Sequence, residues 1–301
     1  MGELTVRGKN IIAACLLFAS VFAKAVCEEY GLVLAGGGGK GAYEVGVWKA
    51  MTDYGIAQKV TAISGTSVGG LNGALFCCYG SDIDSIEDVW LNMVPSALTY
   101  DDELISQIGL ESIINIMPLY RIYEKAYPQV TVTAVRDRYK IAKYVMANIL
   151  GESYAHRFVL NQETDVSEIK KELLATSAFP VICNPVQLKD GYYYIDGGGD
   201  TVYGGDNVPI KPVVENNPHI QTIIIVYLQE QSSLKDRVRA IDYDDKNLIE
   251  VIPSIELGGL FDGTTNFSLR RIRLLIRQGY EDAEKLFKAK GFSKVSSYWF
   301  E

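Results

Sequence analysis

Histidine is scarce in this chain, which carries His156 and His219 alone. That leaves few ways to do proton-transfer chemistry near neutral pH, because histidine is the usual general base. Cysteine is scarce too: Cys15, Cys27, Cys77, Cys78 and Cys183 include no Cys-x-x-Cys pair and no Cys/His cluster. A structural zinc site is therefore not expected, and no metal is assigned. Basic residues are outnumbered, 29 Lys and Arg against 37 Asp and Glu, for a net charge of −8. That balance lacks the basic footprint of a general nucleic-acid binder, so no nucleic-acid partner is expected. No stretch of about 20 apolar residues follows the N-terminal region, so no internal membrane span is expected. What is present is 301 residues, 48% hydrophobic and 22% charged. That is the composition of a globular α/β chain of one large domain or two small ones.

The N-terminal region differs from the rest. Arg7 and Lys9 precede an apolar run from Ile11 to Ala23, and Ala23-Lys24-Ala25 places small residues two apart. This is the layout of a secretory signal peptide over residues 1–25, cut after Ala25, with export to a periplasm or medium. An uncleaved anchor or a packed helix is the alternative. Cys77 and Cys78 are adjacent in a helix-like stretch and read as buried thiols.

Along the chain, apolar runs alternate with helical patterns. "YGLVLAG", "KVTAISG", "QVTVTAVRD", "RFVLN" and "IQTIIIVYL" read as strands. "AYEVGVWKAMTDYG", "TSVGGLNGALFCCYG" and "VSEIKKELLATSAFP" read as helices. "VICNPVQLKDGYYYIDGGGD" alternates like a hairpin around Asp190-Gly191. Residues 230–260 read as mostly irregular. "SLRRIRLLIRQGYEDAEKLFKAKG" reads as a helix interrupted near Gly279, with Arg270, Arg271, Arg273 and Arg277 on a solvated face. The alternation predicts an α/β fold with helices on both sides of a sheet.

Three motifs carry chemistry. The first is Gly36-Gly37-Gly38-Gly39-Lys40-Gly41, between a strand and a helix. Its backbone N–H groups suit an anion at a helix start. A dinucleotide loop would need an acid at the end of the second strand, and "KVTAIS" has none. An ATP-type loop would need Ser or Thr after Lys40, where Gly41 stands. A transient oxyanion fits the motif as well as a resident phosphate. The second motif is Gly65-Thr66-Ser67-Val68-Gly69, a strand–turn–helix setting for a nucleophilic serine. The third is Asp196-Gly197-Gly198 after a strand. Histidine being so scarce, a carboxylate whose pKa is raised in a dry pocket is a candidate base for Ser67. Two other readings stay open. Ser67, Asp196 and His219 occur in the chain order of a hydrolase triad, and a non-catalytic lipid- or dinucleotide-binding protein could use the same loop.

Taken together these residues resemble the patatin-like phospholipase family. "GGGGKGAYEVGV" resembles its oxyanion loop, "GTSVGGLNGAL" its serine elbow and "YIDGG" its Asp-Gly-Gly motif; "ATSAFP", Asn207 and Pro209 add softer matches. The resemblance implies a three-layer α/β/α fold with a mostly parallel central sheet. It implies a catalytic domain over residues 26–226 and a largely helical C-terminal extension over 227–301 packed on the same domain. It implies a Ser67–Asp196 dyad and an acyl-enzyme formed from an acyl-ester or lipid substrate. It also implies transient contact with membrane or lipid aggregates, and no cofactor. The N–H groups of Gly37, Gly38 and Gly39 would hold the oxyanion, with Lys40 in an electrostatic supporting place and Gly36, Gly41, Gly65, Gly69, Gly197 and Gly198 shaping the turns. On that reading Gly38→Ala is expected to lower turnover far more than folding stability.

Overall fold

The computed structural model describes residues 28–92, 107–123, 128–137, 155–163, 165–180, 183–198, 204–232, 234 and 237–295. The leader assigned to residues 1–25 and Cys27 lie outside them. The apolar runs form β1 (Tyr30–Leu34), β2 (Val60–Thr66), β3 (Gln129–Arg136) and β7 (Thr222–Val226). With β8 (Asn247–Val251) they line up in the order β8-β7-β1-β2-β3, every neighbour parallel. Parallel strands are covered on both faces, so their sequences stay apolar without alternating. Every residue of β1 and β7 is buried accordingly.

The sheet is flanked by helices: α1 (Ala42–Asp53), α2 (Val68–Tyr79), α3 (Ile83–Asn92), α4 (Gln107–Ile116), a single turn α5 (Tyr120–Tyr123), α6 (Val166–Thr176), α7 (Lys211–Asn216) and α8 (Leu269–Ala289). The fold is therefore α/β, as the alternation predicts, around the mostly parallel central sheet that the resemblance implies. Chain order reverses at β1, which has β2 on one side and β7 on the other. The crevice beyond the C-terminal ends of such strands is where α/β sheets place ligands. Cys77 and Cys78 are buried in α2, their thiols donating to the carbonyls of Pro128 and Pro118.

Three short antiparallel strands finish the sheet: β4 (Ala155–Val159), β5 (Val186–Gln187) and β6 (Tyr193–Asp196). Their register matters for the site. Thr133 of β3 faces Thr66 of β2 on one side and Arg157 of β4 on the other. One residue on, Ala134 faces His156 of β4 and Asp196 of β6. So β6 takes the side of β3 that β2 has just left. The C-terminal ends of β2 and β6 meet head to head beside β3.

The C-terminal segment departs from its sequence reading at three places. Residues read as irregular form β8, an edge strand paired with β7. α8 is continuous through Gly279, because that glycine is a contact and no break. A methyl on Gly279 would stand 2.0 Å from the Tyr43 carbonyl oxygen, and one on Gly46 would stand 1.9 Å from that of Ile276. The two glycines let α8 lie on α1 backbone to backbone. Arg270, Arg273 and Arg277 are exposed as expected, but Arg271 is half-buried and donates to the Leu257 carbonyl. Gly279→Ala is expected to destabilise the protein by about 3 kcal/mol through overpacking. A shift of the urea midpoint with an unchanged slope would show it.

Candidate active site

Ser67 stands where β2 turns into α2. Its φ of 55° and ψ of −126° make it the one non-glycine residue with a left-handed φ among the described residues. Such a conformation costs of order 1–3 kcal/mol and persists only where the surroundings hold it. The holding groups are visible. The Ser67 N–H donates to Thr176 Oγ1 at 3.0 Å, and the Ser67 carbonyl accepts from the N–H groups of Gly70 and Leu71. Gly65 and Gly69 give the turn room: a methyl on Gly65 would stand 2.3 Å from the Gly69 carbonyl oxygen, and one on Gly69 2.4 Å from that of Leu34.

Asp196 arrives from the opposing strand end. Its Oδ2 accepts the Ser67 hydroxyl at 2.6 Å, and its Oδ1 accepts the Gly198 N–H at 2.7 Å. The Asp196 N–H donates to Ala178, and the Gly197 N–H to Thr176, so the end of α6 anchors the acid. Thr176 thus positions both partners, and its hydroxyl donates onward to the Thr133 carbonyl. A methyl on Gly197 would meet that same carbonyl oxygen at 2.1 Å. A methyl on Gly198 would meet Asn207 Oδ1 at 2.6 Å. Burial pushes the Asp196 carboxyl up to about 6, against the Ser67 and Gly198 hydrogen bonds that favour its charge. A carboxylate so raised is ionised at neutral pH and is still a better proton acceptor than one in water.

The glycine loop runs past this pair. The Gly36 N–H donates to the Asn207 carbonyl, and a methyl on Gly36 would stand 3.2 Å from Ser67 Cβ. The N–H groups of Gly37, Gly38 and Gly39 donate to no backbone acceptor among the described residues. Leu228 crowds Gly37, the Asn266 carbonyl crowds Gly39, and Val68 crowds Gly41. Gly38 has φ +56°, and a methyl on it would stand 2.3 Å from the Thr264 carbonyl oxygen. The sequence expectation for Gly38→Ala therefore changes: strain and overlap would cost folding stability as well as turnover. Burial pushes the half-buried Lys40 ammonium down from its ordinary range, helped by Arg271 and opposed by Asp262 and Glu256.

One buried polar group escaped the sequence reading. Glu44 in α1 is fully buried, and its Oε2 accepts from Asn72 Nδ2 at 2.7 Å. Asn72 also donates to the Gly41 carbonyl and accepts from Trp90 Nε1 at 2.9 Å. Burial pushes the Glu44 carboxyl well above its usual range, against the hydrogen bond from Asn72. The cluster ties the Gly41 end of the glycine loop and the first turn of α1 to α2. A glutamate in the otherwise uncharged run Ala42–Trp48 was the available signal.

Neither histidine approaches Ser67. His219 is exposed and lies 3.0 Å from Glu29, just before β1. Tyr30 pairs with Val60, so Ser67 is seven residues farther along the sheet, about 23 Å at strand rise. His156 lies across β3 from Asp196, two strand spacings or about 10 Å away, with its ring against Tyr194. The triad order Ser67, Asp196, His219 is thus not assembled in space.

Comparison with known proteins gives three kinds of match. The pattern of the family described as Patatin-like phospholipase matches residues 32–220. A 65-residue stretch is 45% identical to Lysophospholipase nte1 of Aspergillus terreus; it covers 21% of this chain and 4% of that protein. Among solved structures, VipD from Legionella pneumophila is 12% identical with a TM-score of 0.45, covering 87% of this chain and 67% of that one. The type III effector protein ExoU is also 12% identical, with a TM-score of 0.40, covering 89% of this chain and 54% of that one.

Proposed function

The chain belongs to the patatin-like phospholipase family, and from that premise we propose that it is a serine acyl hydrolase acting on acyl esters of lipids through Ser67 and Asp196. The observation that carries the proposal is the 2.6 Å hydrogen bond from the Ser67 hydroxyl to Asp196, beside three glycine N–H groups. In the proposed reaction Ser67 Oγ attacks the ester carbonyl carbon while its proton passes to Asp196 Oδ2. The charge on the carbonyl oxygen is held by N–H groups of Gly37, Gly38 and Gly39, each good donor lowering the barrier by about 3 kcal/mol. The tetrahedral intermediate collapses, the C–O bond breaks, and the leaving alkoxide takes the proton from Asp196. Water then attacks the acyl-enzyme, giving a proton to Asp196 that returns to Ser67 as the fatty acid leaves. The proposal includes export by residues 1–25 and transient contact with lipid aggregates.

The test is covalent. A fluorophosphonate probe should label wild type and His219→Ala at one serine each, and Ser67→Ala not at all. Equal labelling of Ser67→Ala would remove the nucleophile assignment. Profiling soluble esters, lysophospholipids and phospholipids with the same proteins then sets the head-group and chain preference.

A further inference from the structure

The tightest constraint on the glycine loop comes from a turn that also carries the most exposed aromatic ring among the described residues of the C-terminal region. Residues Leu260–Thr264 form a π-helical turn. Its inner side holds the loop, with the Thr264 carbonyl against Gly38 and the Gly263 and Asn266 carbonyls against Gly39. Its outer side presents Phe261, 77% exposed, and Leu260, 46% exposed. This exposure is not slack backbone. The N–H groups of Gly263 and Thr264 both donate to Gly259, Thr265 donates to Leu260, and Asp262 caps the Gly259 N–H. Arg271 staples the base of the turn to Leu257. A turn fixed on one side by the candidate oxyanion loop thus holds two large apolar side chains in water on the other.

The chain's net charge of −8 does not extend to this turn. Beside it Lys40 and Arg271 offset Asp262 and Glu256, and Arg270 and Arg273 add two cations on the helix that follows. Arg270 and Arg273 are exposed on the first turns of α8, with no ion-pair partner among the described residues. Two apolar side chains expose far less than the roughly 800 Å² per partner that a stable dimer needs, so a second copy is a poor occupant. Aromatic and aliphatic tips beside cations fit the boundary of a lipid leaflet.

We infer that Leu260 and Phe261 insert into an anionic lipid surface, with Arg270 and Arg273 on its headgroups, bringing the glycine loop and Ser67 to the membrane. The inference rests on the hydrolase reading only for its purpose, and the binding can be measured without catalysis. The Ser67→Ala protein should float with vesicles of phosphatidylcholine and phosphatidylglycerol. Adding Phe261→Ser should weaken that binding about tenfold, and Leu260→Ser should act in the same direction. Arg270→Gln with Arg273→Gln should weaken it by about tenfold or more on these vesicles and leave residual binding to pure phosphatidylcholine unchanged. Binding indifferent to both apolar substitutions, or no binding by the parent protein, would overturn the docking surface.

Activity separates the two readings. With Ser67 intact, Phe261→Ser should lose about tenfold more rate on vesicles than on a soluble short-chain ester. Equal loss on both would place Phe261 in supporting the glycine loop and overturn docking. A wild type inert toward the soluble ester, with vesicle binding as expected, would sink the hydrolase reading alone.

Discussion

Ser67→Ala protein is expected to hydrolyse esters at least about 10⁴-fold more slowly than wild type, since the proposed nucleophile is gone. The methyl keeps the Cβ that strains the turn at φ 55°, so the strain remains while the chemistry is lost. Ser67→Gly is the informative companion. It is equally inactive, and it relieves a conformation worth of order 1–3 kcal/mol, offset by glycine's extra chain entropy of about 1 kcal/mol. The glycine variant should therefore be more stable than the alanine variant by about 1 kcal/mol. Steady-state kcat and urea unfolding on the same preparations measure both effects. Residual activity within a hundredfold of wild type would mean that another nucleophile does the work.

Asp196→Asn should move activity and stability in opposite directions. Loss of the proposed base should lower kcat by about 10³-fold or more. Stability should rise, because the carboxyl is pushed up to about 6 in the fold and its unfolded value is about 3.9. The folded state holds that proton more tightly. The stability it brings is complete below about pH 4 and lost as pH rises through about 6, so the ionised form weighs on the fold at neutral pH. A difference of about two units corresponds to about 3 kcal/mol. The asparagine is neutral and can still accept from Gly198 while facing Ser67 with its amide. Its advantage over wild type should grow from nothing near pH 4 to about 3 kcal/mol above pH 7. In wild type, kcat/KM should climb with pH through a midpoint near 6 with unit slope. A flat stability difference across that window, or a rate limb centred above 7, would take the base role from Asp196.

How far the sequence revealed this depended on the range of the interactions. β1, β2, β3 and β7 were legible because burial on both faces leaves an unbroken apolar run. β8 was not, because an edge strand with Asn247 and Glu250 lacks that run. Gly65, Ser67 and Gly69 were legible as a turn because the glycine spacing is local. Gly279 was misread as a break because its close approach to Tyr43 involves a residue far away in the chain. Glu44 went unnoticed for the same reason, its burial being made by α2 and Trp90. The turn at Leu260–Thr264 left no periodic signal, and its hold on Gly38 and Gly39 exists only in three dimensions.

The head-to-head meeting of β2 and β6 has a consequence for how the molecule comes into being. Ser67 and Asp196 are 129 residues apart and become neighbours only when both strand ends settle on the same edge of β3. During synthesis the elbow emerges long before its acid. On the proposed dyad, a nascent chain that has completed β1 to β3 carries Ser67 without its proton acceptor. Under the proposed mechanism, reactivity then requires the short β5–β6 hairpin to seat against β3.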